Sequence, residues 1–113
     1  MTNLFKLHAE ICKTLANPKR LEIMNFLRNK EASASEIMQS VKMSKANLSQ
    51  HMGVLVQKGV VLARKESVNV FYKISDNRII QACDLMRSVL IKVLEGNSKI
   101  AQELKTVGKG KGD

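Results

Sequence analysis

Residues 44–59 read SKANLSQHMGVLVQKG, and their spacing decides the fold. Leu48, Met52, Leu55 and Val56 recur at three- and four-residue steps, which gathers them on one side of an α-helix. Ser44 precedes the run as an N-cap, and Gly59 follows it at the position where helices stop. At 100° per residue the opposite face carries Ala46, Asn47, Gln50 and Gly53, with Lys45, Ser49 and His51 on its flanks. A mid-helix glycine costs about 1 kcal/mol relative to alanine, so Gly53 on the outward face suggests a close approach by something outside the chain.

Working upstream, Ser33 and Ser35 are both available as caps for a short helix ending near Val41, and Ser33 with Glu36 has capping-box spacing. Two helices joined by a tight turn result. Before them, Asn17-Pro18 supplies an N-cap and a proline at the first helical position. That helix runs to about Arg28, with Leu21, Met24 and Leu27 inward and Ile23 and Phe26 widening the stripe. Leu4, Leu7, Ile11 and Leu15 predict a further helix at the start of the chain. Downstream of Gly59 the period falls from 3.6 to 2: Val60 to Lys65 and Val68 to Ile74 flank the polar Glu66-Ser67, which reads as a hairpin. Asp76 then caps a long last helix whose Ile79, Cys83, Met86, Leu90, Val93, Leu94, Ala101 and Leu104 share one narrow face.

The 113 residues suit one domain, expected over 1–105, with 106–113 as a flexible basic tail ending in GKGKGD. With 44% hydrophobic residues, one proline and six glycines the chain can bury a core. No apolar run reaches the length of a membrane span, and the opening MTNLFKLHAEICK lacks the apolar stretch of a secretory leader, so a cytoplasmic protein is expected. Nineteen Lys and Arg against ten Asp and Glu leave a charge of +9, which favours a polyanionic partner. Aromatic residues make up only 4%, too few for a single-strand stacking platform, so duplex DNA is the better-matched polyanion. Two histidines, scattered carboxylates and no phosphate loop or metal-protease motif argue against an enzyme.

Helix, turn, helix and hairpin in a basic chain make a mainly α fold of the winged helix-turn-helix type, with the second helix in the major groove and the hairpin on the backbone. On that helix Asn47 and Gln50 suit adenine, Lys45 suits guanine or phosphate, and Ser44, Ser49 and His51 suit base or backbone. Arg64 and Lys65 of the hairpin suit phosphate. Each has a blander reading: a solvated polar face for the helix, packing within the domain for His51, and solubilising charge for Arg64 and Lys65. The apolar stripe of the last helix exceeds what a small domain needs, so a homodimer through the first and last helices is expected, against an alternative in which they pair within one chain.

Three motifs in order carry a resemblance. Leu15-Ala16-Asn17-Pro18-Lys19-Arg20-Leu21-Glu22-Ile23, Ser44 to Met52 with Leu55 and Gly59, and Arg64-Lys65 followed by Val70-Phe71-Tyr72-Lys73-Ile74 together resemble the ArsR/SmtB family of bacterial transcriptional repressors. The resemblance spans Cys12 to Leu94. It implies a homodimeric winged helix on double-stranded operator DNA, released by an inducer, with the helix after Ser44 as reader and the hairpin as wing.

The family's inducer sites do not carry over. Where metal-sensing members have paired cysteines, this sequence has Ser33 and Ser35, poor ligands for a soft ion. On the last helix Asp76 is present, but Arg78, Val89 and Lys92 stand where the other zinc ligands would be, and Asn25 and Ile91 replace the dithiol of sulfur- and redox-sensing members. Cys12 and Cys83 are then the only thiols, with His8 one turn before Cys12. Either they pack as small hydrophobes or they form the sensing site for an oxidative or sulfur signal or a thiophilic metal ion. No cofactor is required and the inducer is unspecified. The rival functions are a winged-helix regulator with no small-molecule sensing and an architectural or adaptor winged helix.

Overall fold

A computed structural model describes residues 3–96 and 103–105. The chain divides into two units, Met1–Ile80 and Gln81–Asp113. The first holds α1 (Leu4–Leu15), α2 (Pro18–Phe26), β1 (Ala32–Ser33), α3 (Ala34–Val41), α4 (Lys45–Gln57), β2 (Val61–Glu66) and β3 (Asn69–Ile74); α5 (Asn77–Leu94) begins there and continues into the second.

Local chemistry sets the helix starts. Asn3, Asn17, Ser33 and Ser44 each accept a backbone N–H from the first turn of the helix that follows. Ser33 and Glu36 form the reciprocal capping box: Ser33 Oγ accepts from the Glu36 N–H at 3.1 Å, and the Glu36 carboxylate accepts from the Ser33 N–H at 2.8 Å. Pro18 opens α2, as its fixed φ allows. Lys42, with φ of 52°, ends α3, and Gly59, with φ of 78°, follows α4 one residue beyond its cap.

The core of the first unit is formed by Ile23, Met24 and Leu27 from α2, Ile37 and Val41 from α3, Leu48, Met52 and Leu55 from α4, and Val60, Val61, Ala32 and Ile80. Leu55 is fully buried, so truncating it to alanine costs about 2–5 kcal/mol. Ile23 rather than Leu21 centres the buried face of α2, which ends at Phe26, two residues short of the expected limit. Lys19 Nζ donates to the Val41 carbonyl at 3.2 Å, satisfying an otherwise open acceptor at the end of α3.

The hairpin pairs Val61 with Ile74 through Glu66 with Asn69 and turns over Ser67-Val68, Ser67 lying in the left-handed region at φ of 58°. A third strand was not expected. Ala32 and Ser33 pair with Tyr72 and Phe71, so the sheet order is β1-β3-β2. Two residues are too few to show a period of 2.

In the second unit α5 stops at Leu94, where the sequence stripe runs on to Leu104. Glu95 and Gly96 form a turn directly after it, and glycine is a poor helix former. Ala101 and the expected tail over 106–113 lie outside the described residues. Among those described, no helix is long and apolar enough to cross a membrane.

Candidate nucleic-acid interface

The N-terminus of α4 is fixed by Ser44, whose Oγ accepts the Asn47 N–H at 3.2 Å. Burial then divides the helix as its period requires, except that Val56, expected on the inner side, is exposed at its C-terminal end. Leu48, Met52 and Leu55 are inside, while Ser44, Lys45, Ala46, Asn47, Ser49, Gln50 and Gly53 are exposed. Among the described residues the side chains of Lys45, Asn47, Ser49 and Gln50 make no hydrogen bond or ion pair, so their donors and acceptors face solvent uncommitted. A Cβ placed on Gly53 would meet no atom within 4 Å. Nothing in the chain itself therefore demands glycine there.

His51 differs from its neighbours. It is half-buried, and its Nδ1 accepts from Arg20 Nε at 3.2 Å. Burial and the nearby Arg20 charge push its pKa below the ordinary histidine value. Arg20 is a residue the sequence reading missed, because a contact between positions 31 apart leaves no local signal.

The hairpin brings Arg64 and Lys65 to exposed positions, but in different electrostatic states. Arg64 donates to both Glu31 oxygens, from Nη2 at 2.8 Å and Nε at 3.2 Å, and also to Glu66. Its guanidinium lies 4.7 Å from the centre of the Phe71 ring. The hydrogen bond and charge of Arg64 pull Glu31 below the usual carboxylate range, and the two carboxylates raise Arg64 further. Its charge is thus matched twice over within the chain, whereas Lys65 has no such partner among the described residues.

Cys12 is exposed on α1 in the first unit and Cys83 half-buried on α5 in the second. Asp76 accepts the Arg78 N–H at 2.9 Å and the Arg78 guanidinium at 2.7 Å, which hold its pKa down to about 2. Among the described residues no group of three or more His, Cys, Asp and Glu side chains is placed to hold a metal ion.

A short helix, a tight turn, a second helix with a bare polar face and then a hairpin agree with the comparisons to known proteins. A family model described as bacterial regulatory protein, arsR family, matches residues 17–62. The HTH-type transcriptional regulator Rv0081 of Mycobacterium tuberculosis is 37% identical over 106 residues, 93% of each chain. The chain belongs to the ArsR family. The Rv0081 crystal structure superposes on this ArsR-family chain with a TM-score of 0.77 at 37% identity, covering 87% of this chain and 99% of that one. The biofilm growth-associated repressor of Xylella fastidiosa is 30% identical over 81 residues, 72% of this chain and 71% of its own. The homodimeric winged helix-turn-helix DNA-binding domain of Mb0332 from Mycobacterium bovis matches with a TM-score of 0.74 at 28% identity, over 82% of this chain and 86% of that one. This member is accordingly a winged helix-turn-helix transcriptional regulator, and its relatives are regulators rather than enzymes.

Proposed function

We propose that this ArsR-family chain is a homodimeric, sequence-specific repressor that reads double-stranded operator DNA with the exposed face of α4. The observation carrying the reading is that face: Lys45, Asn47, Ser49 and Gln50 are exposed and uncommitted on a helix whose other side is locked into the core. Asn47 and Gln50 supply paired donor and acceptor groups for base edges, while Lys45 and Lys65 supply charge for phosphate. An adaptor would bury an apolar face on its partner, and this face is polar.

The dimer is supported by apolar surface on the first and last helices. Leu4, Phe5 and Leu7 are exposed on α1, and Leu85, Met86, Val89, Leu90 and Val93 are exposed on α5. A second copy would cover them and repeat the reading helix about one DNA turn away. Release by a signal acting at Cys12 and Cys83 is proposed on narrower ground: they are the chain's only thiols, and one is exposed. Repression follows the Xylella relative's name, while the Vibrio cholerae relative HlyU is named an activator.

Titration of the protein onto its own upstream region tests this. Log K should fall linearly with log salt, by about 0.9 for each phosphate neutralised. Gln50→Ala and Asn47→Ala should each lose about 1–3 kcal/mol of discrimination per contacted base pair. Salt-insensitive binding would count against the reading, and a promoter fusion that falls rather than rises on deletion of the gene would reverse its sign.

A further inference from the structure

Arg20 connects three elements. Its backbone N–H is accepted by the Asn17 cap at 3.1 Å, its Nη1 donates to the Thr14 carbonyl at the end of α1 at 3.0 Å, and its Nε donates to His51 Nδ1 on α4 at 3.2 Å. Thr14 is itself buried, its hydroxyl donating to the Glu10 carbonyl at 2.9 Å. The guanidinium is planar, so Nε and Nη1 donate in a fixed relative geometry. A ring whose Nδ1 accepts must carry its proton on Nε2 when neutral. Among the described residues Nε2 has no partner, and His51 lies beside Gln50 on the flank of the exposed face.

We propose that Arg20 is a positioning residue for operator recognition, holding His51 in the tautomer that offers the DNA a single Nε2–H donor. The proposal rests on α4 being the DNA-reading helix. An Nε2–H meets an acceptor such as guanine O6 or N7, adenine N7 or a phosphate oxygen, but not the cytosine amino group. The alternative Nδ1–H tautomer would present an acceptor outward and reverse that preference. Burial favours the neutral form of the ring, and the Arg20 charge, among the described residues, acts in the same direction. Lys19, next to it on α2, is turned away to the Val41 carbonyl and Glu22.

Two measurements test this, one without DNA. In nitrogen-15 spectra of the histidine side chains, with His8→Gln to leave one signal, the neutral His51 ring should be wholly Nε2–H in the parent. Arg20→Lys, whose single point donor cannot span both acceptors, should show a measurable Nδ1–H fraction and a higher titration midpoint. The same tautomer ratio and midpoint in both proteins overturns the proposal while leaving the DNA reading intact. The second uses the duplex that the parent enriches from a randomised pool, against a shuffled duplex. Arg20→Lys should lower the ratio of the two affinities about tenfold, the scale of one base contact. In a His51→Ala background, where there is no ring for Arg20 to hold, the same Arg20→Lys change should leave the ratio unmoved. An equal loss in both backgrounds shows Arg20 acting through the general fold and overturns the proposal. A parent that enriches no duplex removes the underlying reading and the proposal together.

Discussion

Gly53→Ala should stabilise the free protein and weaken its hold on DNA, two effects of opposite sign from one methyl group. Gly53 lies inside α4, is exposed, and would place its new Cβ with no atom of the chain within 4 Å. No clash offsets the helix-propensity gain of about 0.8–1 kcal/mol, part of which comes from the reduced freedom of the unfolded chain. For a domain of this size that corresponds to a rise in Tm of several degrees, readable by circular dichroism. In the complex the same methyl points where the DNA should be. If the helix backbone comes close there, the clash costs on the order of 1–3 kcal/mol, as for a methyl forced into a packed interior. The assay pairs thermal melts with fluorescence anisotropy on an enriched duplex. A lower Tm would refute the placement of Gly53 on a free helical face. A higher Tm with unchanged or tighter DNA binding would refute the close approach.

The remaining predictions concern charge, acid and thiols. Because Arg64 is held by Glu31 and Glu66, the Glu31→Gln/Glu66→Gln double variant should strengthen DNA binding on all sequences alike and steepen its salt dependence, whereas Lys65→Ala should weaken both; unchanged salt slopes would show that the hairpin does not meet phosphate. Asp76 has its folded pKa lowered from 3.8 to about 2, so its stabilising charge is fully present above the ordinary value and is lost as pH falls toward 2. Asp76→Asn keeps a capping oxygen but not the charge, so its deficit in Tm relative to the parent should shrink between pH 6 and about pH 2; a constant deficit would refute the assignment. Operator release by oxidant, persulfide or thiophilic metal should be lost in Cys12→Ser or Cys83→Ser; an unaltered response in both makes the two thiols packing residues.

Much of the fold was legible because its signals are local. The caps at Asn17, Ser33 and Ser44 and the stop at Gly59 lie within a few residues of what they terminate, and the inside-outside division of α4 follows from one angle per residue. The same holds for the exposed face carrying Asn47, Gln50 and Lys45. What was not legible depends on residues far apart in sequence. The two-residue β1 is a strand only because β3 returns beside it. Glu31 neutralises Arg64 from 33 positions away, and Arg20 reaches His51 across 31. These contacts changed the reading of both side chains: Arg64 is not a bare phosphate contact, and His51 is both an internal acceptor and a flank of the exposed face. The end of α5 was misjudged for the opposite reason, since an apolar stripe continued past Gly96 and outweighed a local breaker.

The central claim is that α4 reads base sequence through Asn47 and Gln50. Selection from a randomised duplex pool, run in parallel with the parent and the Asn47→Ala/Gln50→Ala variant, tests it directly. The parent should enrich a two-fold symmetric pair of half-sites about one helical turn apart, and the variant should still bind duplex DNA but enrich no such pair. Recovery of the same half-sites by both proteins would contradict the account.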